Sequence, residues 1–276
     1  MIPRFITDWF KTTGATPYIR NSIAPNRRAQ DGPKLPLFCD SCEQLLGKDE
    51  KIFAETIFHP LNSDHGAIIP YGPWLARFCV GLSLRVALFY ERDGSSQLDS
   101  TQKAFLTEAV AIWRKFLLGT CHNLGPFEQH FLPLDILLPN DDPDLPPNFN
   151  LYLARSLDID VVGGRNTAFV FAKPGPFCVL GLIQRAPTKI FLGTKVNLNG
   201  GTIMPREYAM PGQFRLFLIA KARKVAAIAE SMSQKQKDGI IAEVAADPER
   251  LENSDTARAI AADLRMRELR DKKPGS

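Results

Sequence analysis

The chain has few of the residues that usually mark a site. Its 276 residues include four histidines and five cysteines. Five is odd, and Cys79 and Cys178 sit in apolar runs. The cysteines therefore do not read as a disulfide framework, and a cytoplasmic, reducing compartment is expected. The start, Met1-Ile2-Pro3-Arg4-Phe5, is followed by Asp8 and Lys11 rather than by an apolar stretch, so no secretory signal is read there. The most apolar segment, Trp74 to Tyr90, carries Arg77 and Arg85. It is short and charged for a membrane span and predicts a buried helix, with no membrane partner. A Ser nucleophile elbow and a His-Glu-x-x-His pair are both missing. Gly163-Gly164 and Gly200-Gly201 lack the spacing and following helix of a phosphate cradle and read as hairpin turns. No repeat or heptad run is present, which excludes solenoids and coiled coils.

With 45% hydrophobic residues the chain can bury a sizeable core in one large domain or two small ones. The net charge of +4 permits a nucleic-acid partner without arguing for one. Helical periodicity marks Arg4 to Thr12, Cys42 to Phe58 (ended by His59-Pro60), Pro70 to Arg92, and a helix capped by Ser100 and stopped by Gly119. The Pro/Asp-rich run from Asn140 to Pro147 is the expected boundary. Strand-like patterns follow at Phe149 to Ala154, Asp158 to Val162, Ala168 to Ala172, Phe177 to Ile183, Lys189 to Val196 and Thr202-Ile203. Their short Gly/Pro/Asn connections predict a mainly antiparallel sheet over 149–203. Helices return from Pro211. Pro248 is expected at a first helical position, and Ser254 is expected to cap a last helix with Ala257, Ile260, Ala261 and Leu264 inward. The expected fold is α+β. A helical region over 1–140 carries a cysteine knuckle, and a small antiparallel sheet with C-terminal helices spans 149–276.

The most informative feature is Cys39-Asp-Ser-Cys42, running into Glu43-Gln44. Two cysteines at this spacing can hold one zinc ion as thiolates. Ser41 and Gln44 have capping-box spacing, which predicts a helix start with Cys42 in the first turn. Zinc needs four ligands. His59, His65, Cys79 and Cys121 are the candidates for the other two, although a straight helix would carry His59 about 25 Å away. The pair also reads as two reduced thiols without metal, or as a redox pair, although no strand-then-helix thioredoxin pattern precedes it.

Other constellations are weaker. Cys121-His122 and Glu128-x-His130 flank Gly125-Pro126 and read as ligands, as a Cys/His catalytic pair, or as ordinary loop or core histidines; a pocket around His122, Glu128 and His130 would favour a small-molecule enzyme. Arg77, Arg85 and Arg92 lie on an apolar helix. An ion pair with Glu50, Glu55 or Glu108 is expected, with phosphate binding as the alternative. Arg20, Arg27, Arg28 and Lys34, set among prolines, are a solvated surface or a contact for the backbone of DNA or RNA.

These residues resemble a set of uncharacterised bacterial proteins with an HNH-like, treble-clef N-terminus. In that pattern a first C-x-x-C leads to an H-I-I-P segment, and a basic linker precedes a second C-x-x-C-E that opens a helix. Met1-Ile2-Pro3-Arg4-Phe5 resembles the end of the first part, and Cys39-Asp-Ser-Cys42-Glu43 the second knuckle. Tyr71-Gly-Pro-Trp-Leu-Ala-Arg-Phe78 and Gly200-Gly201-Thr202-Ile203 resemble later parts of the same proteins. The resemblance implies a zinc-knuckle relative of HNH nucleases that binds nucleic acid. It also implies that the first Cys pair and the base-supplying His fall before Met1, so no catalytic residue is assigned and DNA cleavage is not expected. Two other classes stay open: a protein-interaction component of a bacterial defence or mobile-element system, and a small-molecule enzyme.

Overall fold

A computed structural model describes residues 2–20, 24–30, 35–94, 97–140, 142–184, 191–204 and 210–272. The fold mixes helices with antiparallel sheets. The chain forms two compact units, neither of them one continuous stretch. The first comprises Lys34–Pro133 and Leu157–Pro211; the second comprises Ile2–Pro33, Leu134–Ser156 and Gly212–Ser276. The Asn140 to Pro147 connection lies inside the second unit.

In chain order the second unit begins with α1 (Arg4–Thr12), β1 (Ile19–Arg20) and β2 (Arg28–Ala29). The first unit follows with α2 (Asp40–Phe53), a π-helical turn over Ala54–Phe58, α3 (His59–Ser63), β3 (Ile69–Tyr71), α4 (Trp74–Asp93), α5 (Ser100–Leu117) and β4 (Gln129–Pro133). The second unit adds α6 (Phe149–Arg155). The first is completed by β5 (Leu157–Gly163), β6 (Ala168–Pro174), β7 (Phe177–Gln184) and β8 (Gly201–Ile203). The second ends with α7 (Gly212–Glu230), α8 (Gln234–Ala246), α9 (Pro248–Glu252) and α10 (Asp255–Asp271).

The core of the first unit is an antiparallel sheet in the order β4-β7-β6-β5. β6 is buried along its whole length and β7 in all but its last residue, which explains why both read as continuous apolar runs. α4 and α5 pack on this sheet. β7 comes so close that a Cβ at Gly181 would stand 2.7 Å from the Ser83 hydroxyl and 2.9 Å from the Trp113 ring, so only glycine fits there. The expected buried helix is α4, with Leu75, Cys79, Leu82, Leu84 and Val86 almost wholly out of water. The turn joining β5 to β6 closes with a Gly164 N–H to Thr167 O bond of 2.9 Å, as its glycines predicted. Gly200 does not close a hairpin. It takes φ 105° and leads into β8, which pairs with the distant β3.

Three local expectations are corrected in this unit. His59-Pro60 does not end the α2 helix. The π-helical turn over Ala54–Phe58 precedes it and Pro60 enters α3 near its start; the wider turn accommodates a residue with no N–H and a bulky ring. Asp99 rather than Ser100 caps α5, through a box with Gln102. Residues 191–196 form turns with a single bridge between His130 and Lys195 rather than a strand; Lys189 lies outside the described residues. The sequence reading assigned no element to residues 129–133, which form β4.

In the second unit Phe149 to Ala154 is helical, against the strand expectation. The cause is tertiary. The Asp263 carboxylate of α10 accepts from the N–H groups of Asn150 at 2.8 Å and Leu151 at 3.0 Å, satisfying the free donors of the α6 start. This contact also turns α10. Its inward face is Ala259, Asp263 and Met266, not Ala257, Ile260, Ala261 and Leu264. Ile260 and Leu264 are 39% and 53% exposed, because one helical position is a rotation of about 100°. The Ser254 cap and Pro248 at the start of α9 stand as read. Arg155 joins α6 to α1. It lies over the rings of Trp9 and Phe10 and donates to Thr13 Oγ1 at 2.7 Å and to the Phe10 carbonyl at 2.9 Å. Burial lowers its pKa to about 10, against the pull of Asp255, and it stays charged at neutral pH.

Candidate functional site

Cys39 is the residue that leaves extended backbone for helix at the start of α2, with φ −74° and ψ 163°. Its carbonyl accepts the first helical bond, from the Glu43 N–H at 3.0 Å. No side chain caps this end, so the Ser41/Gln44 capping box is not formed. The helix starts earlier than that box requires, and Ser41 lies within the first turn. Its hydroxyl instead meets Cys39 Sγ at 3.2 Å. Cys42 follows one turn after Cys39, near enough for each thiol to influence the ionisation of the other.

The two sulfurs therefore differ. Cys39 is exposed, and its pKa is lowered to about 7, first by the Ser41 hydroxyl and then by the Cys42 N–H and thiol. Cys42 is half-buried. Its pKa is raised, first by the neighbouring Cys39 thiol and then by partial burial, with Glu43 adding like charge.

The helix carrying the pair is held to α4 by ion pairs in which Arg85 and Asp49 are buried. Arg85 reaches Glu43 at 2.9 Å and Glu50 at 2.6 Å and lies against the Phe38 ring at 5.7 Å. Arg77 reaches Asp49 at 3.0 Å and donates to the Leu117 carbonyl at 3.0 Å. The ion-pair reading holds for Arg77 and Arg85, with Glu50 alone of the expected partners used; Arg92 is exposed. Burial raises the pKa of both Asp49 and Glu50 more than their arginines lower it. Below the ion pairs Phe53 stacks on Phe78 at 3.8 Å. Glu43, which follows Cys42 directly, is thus part of a fixed framework.

The other candidate ligands do not join the pair. Among the described residues no three His, Cys, Asp or Glu side chains form a group able to hold a metal ion. His59 is exposed at the start of α3 and His65 is half-buried in the next loop. Cys121 donates to the Asn123 carbonyl at 3.0 Å. Cys79 and Cys178 are buried, which raises both pKa values, that of Cys178 to about 12.

Glu128 and His130 do come together, with two residues that sequence reading missed. His130 Nδ1 lies 2.8 Å from Thr194 Oγ1, whose hydroxyl donates to the Phe191 carbonyl at 3.0 Å. His130 Nε2 lies 3.7 Å from Glu128, which also binds Lys195 at 2.8 Å. Only the fold joins Thr194 and Lys195 to β4, so no local pattern signalled them. His122 is exposed in the loop after α5. A recess bordered by Tyr71, Leu75, Phe131, Thr194 and Lys195 has about 20 Å³ of interior space, room for about one water molecule. Lys173 is a second missed charge: it is fully buried on β6, opposite Asp158, and donates to the Gly175 carbonyl at 2.7 Å.

Arg20, Arg27 and Arg28 belong to the second unit. Arg20 donates to the Pro25 carbonyl at 3.0 Å and to Gln236 at 3.1 Å. Arg28 lies 4.3 Å over the Tyr18 ring and pairs with Glu243 at 2.9 Å. Arg27 is exposed, and Lys34 lies outside the described residues. No described helix is long and apolar enough to cross a membrane. Comparison with protein-family models, with curated proteins and with solved structures finds no match.

Proposed function

We propose that Cys39 and Cys42 form a two-thiolate half-site for a zinc-like ion in a protein that binds nucleic acid without cutting it. The observation that carries this reading is the placement of the pair. An exposed and a half-buried cysteine stand one turn apart on a helix anchored by Arg85, Glu43 and Glu50. A thiolate is the form that binds metal, and Cys39 ionises readily. The donors fit a thiophilic ion and amount to half of a closed zinc set. Zinc bound there would brace the loop before α2 against the helix; no hydrolytic step is assigned to it. Exposed Arg27 and Arg28 and the net charge of +4 support weak, salt-sensitive contact with a phosphate backbone.

The test is titration of the reduced full chain with cobalt(II), read by the thiolate-to-cobalt charge-transfer absorption. The band should appear in the parent and vanish in Cys39→Ser and Cys42→Ser. Equal silence in all three proteins overturns the ligand reading. A second reading, a protein-interaction module, is favoured by apolar side chains left in water on the second unit. Ile241 of α8 is 64% exposed, and Leu264 of α10 is 53% exposed. Concentration-dependent sedimentation that Leu264→Glu abolishes would support it.

A further inference from the structure

We infer that, when free of metal, Cys39 and Cys42 are a reversible dithiol–disulfide couple in which Cys39 attacks and Cys42 resolves. This goes beyond the ligand reading and stands or falls separately from it.

The argument is geometric. A disulfide needs two Cβ atoms about 3.5–4.5 Å apart. Residues three apart on a helix have theirs about 5–6 Å apart. Here Cys39 sits at the helix entry, on extended backbone outside the regular turn, one turn before Cys42. Closing the bond therefore asks for a small motion at the loop end, while α2 stays fixed by the Glu43 and Glu50 pairs with Arg85.

Access sets the order of events. Cys39 is exposed and Cys42 half-buried, so an incoming disulfide meets Cys39 first. The co-reactant is a small-molecule disulfide. The Cys39 thiolate attacks one of its sulfurs; that S–S bond breaks, and the leaving thiolate takes up the proton Cys39 gave away. The Cys42 thiolate then attacks the Cys39 sulfur of the mixed disulfide. The second small thiolate leaves and is protonated in turn. The protein is oxidised by two electrons, the reagent is reduced to two thiols, and a small dithiol reverses the sequence. The remaining cysteines are poor competitors, because Cys79 and Cys178 are buried and Cys121 is bonded to a backbone carbonyl.

The test treats the full chain, stripped of metal by a chelator, with glutathione disulfide, and reads intact mass and peptide maps. The parent should lose two hydrogens, with the new link mapped to Cys39 and Cys42. Cys42→Ser should stop as a single glutathione adduct on Cys39. Cys39→Ser should stay largely unmodified at Cys42. A parent that accumulates adducts without an internal link overturns the inference. So does a Cys39→Ser protein whose Cys42 is modified as fast as Cys39 is in Cys42→Ser. Both variants change accessible side chains at a helix entry, and circular dichroism confirms that each is folded before its result is read. Metal content, measured on the untreated protein, reports on the ligand reading independently.

Discussion

Cys39 and Cys42 show how one helical turn separates the chemistry of two identical side chains. The leading cause of the low Cys39 pKa is the Ser41 hydroxyl, so Ser41 is the residue to change. On the metal-free protein, alkylation of Cys39 by iodoacetamide should rise with pH around a midpoint near 7. Ser41→Ala should move that midpoint up toward the ordinary thiol value of about 8.5; an unmoved midpoint refutes the role given to Ser41. The closeness of the two cysteines was legible from their spacing. The role of Ser41 was not, because it depends on which residue ends the extended backbone, and the capping-box pattern pointed two residues too late. Arg85 is similar. Its apolar surroundings in sequence required a buried partner and Glu50 was named, but Glu43 became visible only once α2 lay against α4.

Elements were read best where their signal was local. α1 and α4 follow their patterns because one face, or nearly the whole helix, is apolar. Leu82 of α4 is 1% exposed, and Leu82→Ala should cost about 2–5 kcal/mol in urea unfolding, as a cavity in a tight core does. α6 failed because its helical state depends on Asp263, more than a hundred residues away, and α10 failed on its inward face for the same reason. Burial raises the Asp263 pKa above 3.8, although the N–H groups of Leu151 and Asn150 pull it down. The sign of the linkage follows. The native chain holds that proton more tightly than the unfolded chain, so the stability it adds is whole below about pH 3.8 and is lost as pH rises through the raised value. Asp263→Asn cannot titrate. The parent should therefore lose stability relative to Asp263→Asn between pH 4 and 7, measured by urea midpoints at each pH; a constant or opposite trend contradicts the assignment.

For the molecule as a whole, the α+β class was legible, because helix and strand periods differ. The interleaving of three chain segments in the second unit was not, since no composition shift marks it. The functional expectation carries a prediction at this scale. Supercoiled plasmid incubated with the chain and magnesium, manganese or nickel should stay uncut, matching the Cys39→Ser/Cys42→Ser double variant. Fluorescence anisotropy with duplex DNA should show weak binding that Arg27→Ala reduces and that falls as salt rises. Cleavage by the parent alone would mean that the chain assembles a site from residues given no catalytic role here. The Asp263 cap has a further consequence, in time rather than in space. Asn150 and Asp263 are 113 residues apart, and a ribosome adding 5–20 residues per second needs roughly 6–23 s to cover that distance. Throughout that interval the α6 segment has left the ribosome without the carboxylate that makes it a helix. Its strand-like sequence is then free to follow its local preference, so the nascent chain is open to mispairing until α10 is made.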